Sequence, residues 1–350
     1  MQPSEFKKTQ GDLVNHWYIV ALESEVPVDK PIQRWVMGIP YVLFRNSKKI
    51  ISVFEDRCPH RGAMLSEGKC IKGNIKCPYH GWEFNGDAEL ISIPSEGNDF
   101  KPRDWKASQV YSYQKDNCVW IWCGPDKPEM DVPPWCFPKI DDGRASTYFM
   151  ITDFENQVGP LVQNFMDVPH TVFVHSKWFR ERSLIKVPAT IDVGDGKVKV
   201  TYLQPNDSIG FMQAIVNPKK QPMFHTDEFI FPNITRVDYQ FGDYYFIINS
   251  QCTPISEFKT RVFTWIAYYV GIPTKPMTSF MKFYTRRVIE QDVEIMKNHV
   301  QHLKNFESST YYSTGADEHH LAIDRMIQTG KTNRSDILKM KYQKEREFWI

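Results

Sequence analysis

Two short segments carry the residues best suited to redox chemistry. Cys58-Pro-His60 and Cys77-Pro-Tyr-His80-Gly-Trp82 stand 16 residues apart, and each offers one thiolate and one imidazole. Two soft anionic sulfurs and two neutral nitrogens suit a [2Fe–2S] cluster in which one iron takes both cysteines and the other both histidines. Imidazole in place of thiolate removes negative charge, so the reduced cluster forms more easily. A tetrahedral zinc site uses the same four ligands. Zinc fingers, however, keep a cysteine pair apart from a histidine pair, whereas here each segment supplies one of each, which favours the cluster. Cys70 lies between the segments but outside their pattern and reads as a structural thiol.

A second constellation follows in Asn164-Phe-Met-Asp167-Val-Pro-His170-Thr-Val-Phe-Val-His175. Histidines five apart on a regular helix point about 140° away from each other. Pro169 disfavours helical geometry at Val168, and a bulged or ending helix would let both rings reach one metal. The third ligand should be a carboxylate, because two histidines and one carboxylate hold Fe(II) and leave positions open for O2 and substrate. Asp292 fits, lying in a helical stripe of Met281, Tyr284, Val288, Asp292, Ile295 and His299, with Glu290 and Glu294 outside it. A lone carboxylate facing a core is costly unless paired or metal-bound. The ordinary alternative is an ion pair with Arg286 or Arg287. His299 reads as a core or supporting residue, and His319 and His320 as surface or loop residues.

The elements that must position these residues fall into two regions. Residues 15–125 read as short strands in HWYIVAL, RWVMGIPYVLFR, KIISVFED, NIKCPYHGWEF and CVWIWC, separated by turn residues. This predicts a small all-β domain with each metal-ligand segment at a loop tip. A proline-rich stretch at 126–146 reads as a linker. Residues 147–350 open with a helix over ENQVGPLVQNFMDVPH, continue as strands from about 185 to 272 and close with a helix from 278 to 306. That order predicts an α+β domain. The tail KMKYQKEREFWI reads as a charged surface helix.

Bulk composition narrows the function classes. With 350 residues and 41% hydrophobic content the chain can bury a large core. A net charge of +1 gives no field for nucleic acid or an anionic membrane. No apolar run approaches the roughly 18 residues of a membrane span, and the polar N-terminus lacks a signal-peptide core. Seven cysteines, two of them in a ligand pattern, indicate a reducing, cytoplasmic setting. Aromatic residues reach 14%, enough to line a deep cavity. Phe211, Met212, Met223, Phe224, Phe229, Phe231, Tyr239, Tyr244 and Phe246 are expected as its walls. His225, Asn249 and Gln251 are expected as its polar contacts.

CPHRG at 58–62 and CPYHGW at 77–82 resemble the paired signature of Rieske proteins. Respiratory members of that group carry an extra cysteine in each loop, which forms a clip. Ala63 and Tyr79 stand at those positions, so the resemblance is to the lower-potential oxygenase type. N-x-x-D-x-x-H-x4-H and the later EQD helix resemble the catalytic domain of Rieske non-haem iron oxygenases. The resemblance implies a helix-grip, START-like domain with an antiparallel sheet. It implies a [2Fe–2S] cluster on Cys58, His60, Cys77 and His80, and Fe(II) on His170, His175 and Asp292. The length and the stretch 318–324 resemble the α-only monooxygenases and demethylases, which implies a homotrimer. In such a trimer Asp167, beside Asn164 in the motif, would bridge His170 to His80 of a neighbouring subunit. No G-x-G-x-x-G follows a strand, so electrons are expected from a separate NAD(P)H-dependent reductase, directly or through a ferredoxin. The expected substrate is a small, largely apolar organic molecule. The competing reading is a Rieske electron carrier with a non-catalytic ligand-binding domain.

Overall fold

The computed structural model describes residues 3–128, 137–139, 142–176, 178, 185–203, 209–271, 275–306 and 311–349, without the side chains of 3, 4, 211, 212, 275 and 276. The expected linker at 126–146 lies in large part outside them. The chain divides into two compact units, Met1–Gln10 with Val14–Cys136 and Gly11–Leu13 with Phe137–Ile350.

The first unit holds a short helix α1 (Pro3–Lys8) and ten strands. They are β1 (Trp17–Leu22), β2 (Ile32–Val36), β3 (Ile39–Arg45), β4 (Ile51–Glu55), β5 (Lys69–Ile71), β6 (Asn74–Lys76), β7 (Glu83–Phe84), β8 (Leu90–Ser92), β9 (Ser112–Lys115) and β10 (Cys118–Trp122). Three small antiparallel sheets result, in the orders β1-β10-β9, β2-β3-β4 and β5-β6-β7-β8. The run RWVMGIPYVLFR is a hairpin rather than one strand. Met37 and Gly38 take φ of 51° and 77°, the two positive values a tight primed turn needs. One apolar core lies under Tyr18, Val20, Leu43, Val53, Val119 and Ile121. A second gathers Leu65, Ile75, Trp82 and Phe84 around the thiols of Cys58 and Cys77.

The second unit is built on one eight-stranded antiparallel sheet. Its strands are β11 (Ser146–Phe154), β12 (Lys186–Gly194), β13 (Lys197–Tyr202), β14 (Phe224–Ile230), β15 (Ile234–Phe241), β16 (Tyr244–Ser256), β17 (Lys259–Tyr269) and β18 (Tyr342–Trp349). The order is β11-β17-β16-β15-β14-β13-β12-β18. The helices are α2 (Val158–Met166), α3 (Val168–Val174), α4 (Phe211–Val216), the 31-residue α5 (Lys275–Asn305) and α6 (Glu318–Thr332). The long helix α5 lies against β11, and α2 packs on β14, β15 and β16. The fold is therefore α+β: small antiparallel sheets, then a large sheet gripped by helices.

Three expectations need correction. The charged tail is not a helix but the edge strand β18, paired with β12 from Lys186↔Trp349 to Val193↔Tyr342. Strand alternation puts Phe348 in the core and lets Lys344 and Arg346 meet Glu318 at 2.6 and 2.8 Å. Charges along an edge suit a strand that must not pair with other molecules. His319 is not a surface residue, since it is 1% exposed on α6. The stripe on α5 steps through Asp292 to Met296, not to Ile295, which is 39% exposed. A step of four residues stays on one face better than a step of three at that point.

Candidate functional site

In the first unit the two ligand loops share one local form. Cys58 N–H donates to the Ala63 carbonyl at 2.8 Å, and Gly62 N–H donates back to the Cys58 carbonyl at 2.9 Å. Cys77 and Trp82 repeat the first bond at 2.8 Å, and Gly81 and Cys77 the second at 3.1 Å. Each loop therefore turns back tightly, with Gly62 and Gly81 at φ of 76° and 73°, where a side chain is strained. Buried Asp56 braces the first loop by accepting from Ser66 N–H at 2.8 Å and Gln33 Nε2 at 2.7 Å.

These loops bring like ligands together. The thiols of Cys58 and Cys77 are buried and adjoin each other, while the rings of His60 and His80 meet at 4.5 Å nearer the surface. His60 also stacks on Trp82 at 4.4 Å. Burial pushes the Cys58 thiol up to about 11, with Cys77 adding to the effect, so binding a cluster must displace protons. Partial burial, His80 and Arg61 hold His60 below its usual value, in the neutral form a metal needs. Paired thiols inside and paired imidazoles outside fit a [2Fe–2S] group of mixed ligation.

In the second unit His170, His175 and Asp292 converge. His170 Nε2 lies 3.3 Å from His175 Nε2 and 3.5 Å from Asp292 Oδ1, and His175 Nε2 lies 3.1 Å from that same oxygen. Among the described residues this is the group of three whose ligand atoms all fall within 4.8 Å. Edges of about 3 Å are what three cis ligands at roughly 2.1 Å on one face of an octahedron present. The convergence comes from a helix break. Asp167 separates α2 from α3 with φ −93° and ψ 102°, one residue earlier than Pro169 alone would suggest. Pro169 sits in the first turn of α3, where its missing N–H costs nothing, and His175 lies just past the last turn.

Charge and hydrogen bonds set the three ligands for a cation. Burial opposes ionisation of Asp292, yet the two imidazoles hold it well below the usual carboxylate range. Burial likewise opposes a charged His170, yet Asp292 and Asp167 raise it. Positive charge is therefore favoured where the three atoms meet, and the donor set suits Fe(II). His170 Nδ1–H donates to the backbone carbonyl of Asp167, while the Asp167 carboxylate stands 3.7 Å away. His175 Nδ1 lies 3.0 Å from Gln291 Oε1, and Asn164 Nδ2 donates to Asp292 Oδ1 at 3.0 Å. Among the described residues no arginine pairs with Asp292; Arg287 pairs with Glu290 at 3.1 Å. His299 stands apart from the three, 3.2 Å from Asn156.

A cavity of about 110 Å³ opens beside these ligands, between α2, α3 and α5 and the inner face of the sheet. Tyr239 and Phe246 line it as expected, with Val237, Ile248, Ile266 and Val288. The other expected walls do not. Met223 and Tyr244 pack in the same core as Tyr239 and Phe246 but off the cavity, Phe229 and Phe231 pack in a separate core with Phe154 and Val198, and Phe224 is 49% exposed. The side chains of Phe211 and Met212 lie outside the described residues. Strand parity decides the polar positions: Thr235 and Ser250 face the cavity, whereas Asn249 and Gln251 point to the opposite face. His225 is buried and does not line the cavity, but Asp227, two residues on, does. Gln291 and Asp227 were not anticipated. Adjacency to Asp292 marks the first, while the second needs the register of β14 with its neighbours.

Residues 16–113 match the Rieske [2Fe-2S] domain family, and residues 158–329 match the vanillate O-demethylase oxygenase C-terminal domain family. A chloroplastic chlorophyllide a oxygenase of Chlamydomonas reinhardtii is 34% identical over 48% of this chain and 25% of its own length. The oxygenase component of dicamba O-demethylase from Stenotrophomonas maltophilia is 28% identical over 57% of this chain and 58% of its own. The chain thus spans about a quarter and about three fifths of these two relatives. The crystal structure of dicamba monooxygenase bound to 3,6-dichlorosalicylic acid superposes with a TM-score of 0.79 at 21% identity. It covers 91% of this chain and 97% of that one, a likeness of fold.

Proposed function

We propose, for a chain that belongs to the Rieske oxygenases through both of its domains, that it is the oxygenase component of a multi-component monooxygenase. The observation that carries this reading is the face of His170, His175 and Asp292 set into the wall of a largely apolar cavity. Cys58, His60, Cys77 and His80 hold the [2Fe–2S] cluster, and His170, His175 and Asp292 hold the mononuclear Fe(II). When bound, the iron supplies O2 activation and the cluster supplies single electrons. The net reaction takes substrate, O2, two electrons and two protons to hydroxylated substrate and water. A methyl group hydroxylated on O or N leaves as formaldehyde, so hydroxylation and demethylation share one chemistry.

The chain's own residues supply geometry. The Asp167 carbonyl and Gln291 Oε1 each take an Nδ1–H, which leaves both Nε2 lone pairs to face the metal position. Asn164 turns Asp292 Oδ1 toward the same point. Val237, Ile248, Ile266 and Val288 hold a small organic substrate by apolar contact and exclude water. A separate NAD(P)H-dependent reductase delivers electrons, directly or through a ferredoxin. A homotrimer would bring His80 of the partner subunit to the Asp167 carboxylate, whose residue joins His170 through its backbone carbonyl, so that one chain's cluster serves another chain's iron. The described cysteines are all free thiols, and no helix among the described residues is long and apolar enough to cross a membrane. The free thiols support a cytoplasmic location. Turnover of methylated aromatics, terpenoids and alkaloids with a surrogate reductase under 18O2 tests the reading. Incorporation of one labelled atom, or release of labelled formaldehyde, is the expected result. Cluster reduction without any label in any product would favour a Rieske electron carrier instead.

A further inference from the structure

We propose that Asp227 is a substrate-binding carboxylate, and that the cavity takes a small molecule bearing a hydrogen-bond donor, such as an amine or hydroxyl, in preference to a carboxylate. The proposal rests on the oxygenase reading of the cavity and adds the polar class of its substrate. Asp227 lies on β14 in the interior of the sheet, 2% exposed, and lines the cavity. Its two oxygens are each held by one donor that does not line the cavity. His225 Nε2 stands 2.8 Å from Oδ1, and the Tyr202 hydroxyl donates to Oδ2 at 3.0 Å. Burial and the Asp227 carboxylate push the Tyr202 phenol far up, so its hydroxyl remains a donor.

The support behind Asp227 is rigid. Tyr202, His225, Tyr239 and Phe246 sit opposite one another across β13, β14, β15 and β16. Their rings form a stack in which His225 lies 4.3 Å from both tyrosines. A carboxylate offers about four lone-pair sites, and these two donors use two. Buried beside Val237 and Tyr239, the remaining acceptor capacity is costly to leave unmet. A donor on the substrate completes it. The far wall carries Asp167 and Asp292 beside the two imidazoles, and no lysine or arginine is among the described lining residues. With the iron bound, the metal takes up the charge of Asp292, so away from the metal an anionic substrate would meet the carboxylates of Asp167 and Asp227 and no basic side chain of that set. A structural role alone, tying β13 to β14 through Tyr202, predicts no preference among substrates.

Four anisoles that differ only at the para position separate these outcomes: aminomethyl, hydroxymethyl, methyl and carboxylate. Each is titrated anaerobically into the iron-loaded protein at pH 7 by equilibrium dialysis. The amine and alcohol should bind about tenfold or more tighter than the methyl compound, with the carboxylate weakest, as a charge-assisted hydrogen bond implies. Asp227→Asn should bring amine and methyl affinities to within about threefold of each other at unchanged iron content. If that variant fails to fold, the wild-type rank order decides alone. Iron content is measured on the same samples, so loss of the oxygenase reading would show there and not in the ranking. Equal binding of amine and methyl compounds by the wild type, or tightest binding of the carboxylate, would overturn the assignment of Asp227.

Discussion

Gln291 Oε1 lies 3.0 Å from His175 Nδ1, one residue ahead of the Asp292 carboxylate that faces Nε2 of the same ring at 3.1 Å. A carbonyl oxygen can only accept there, so Gln291 fixes the tautomer that leaves Nε2 free for a metal. Gln291→Leu should weaken Fe(II) binding by about 10- to 100-fold while the visible spectrum of the cluster stays unchanged. Competitive metal titration measures this. Unchanged affinity would remove Gln291 from the site.

In the first unit, Cys58→Ala or Cys77→Ala should abolish the brown colour and the reduced-state EPR signal, because no neighbouring group replaces the lost thiolate. Gly81→Ala should retain less cluster after purification. Its φ of 73° and the approach of Pro94 Cγ to 2.9 Å of a new Cβ both oppose a side chain there. An intact spectrum in either cysteine variant would contradict the ligand assignment.

Acid should loosen the last strand. Lys344 and Arg346 hold the Glu318 carboxyl below the usual glutamate value. A depressed folded-state value means the ion pairs stabilise fully above the unfolded-state value, near 4.3, and that this stabilisation is lost as pH falls through the folded-state value. Glu318→Gln should therefore lower stability at pH 7 by no more than about 1 kcal/mol, given the exposure of both bases, and Tm should fall with it. The two proteins should converge on acidification below about pH 4. Melting curves across pH check the sign, and a gap that widens in acid would contradict it.

Much of the site is visible in residue type and spacing, because thiolate and imidazole pairs have few other uses at such intervals. His170, His175 and Asp292 stand out for a similar reason: a carboxylate in an apolar stripe needs a partner. What sequence hides is tertiary. The helix break falls at Asp167, whose extended backbone turns its carbonyl, not its carboxylate, onto His170 Nδ1. The tail KMKYQKEREFWI has helix-forming residues, yet pairing with β12 overrides their preference. The cavity walls depend on which face each strand turns inward, and a shift of one residue exchanges Ser250 for Asn249.

Asp167→Asn tests the proposed trimer route. The variant should keep cluster and iron yet lose most turnover, because the side chain would no longer offer a carboxylate to His80 of the partner subunit. Rapid mixing should show normal cluster reduction followed by very slow reoxidation with substrate and O2. Reoxidation and product formation near wild type, with both metals present, would exclude the bridge.

The central claim is that Asp292 completes an iron site separate from the cluster. Iron analysis of wild type and Asp292→Ala, with EPR of the reduced cluster on the same samples, tests it most directly. About three irons per chain are expected in the wild type and about two in the variant, with identical cluster spectra. A variant that keeps its third iron and full product formation, or a wild type that holds only the two cluster irons, would contradict the account.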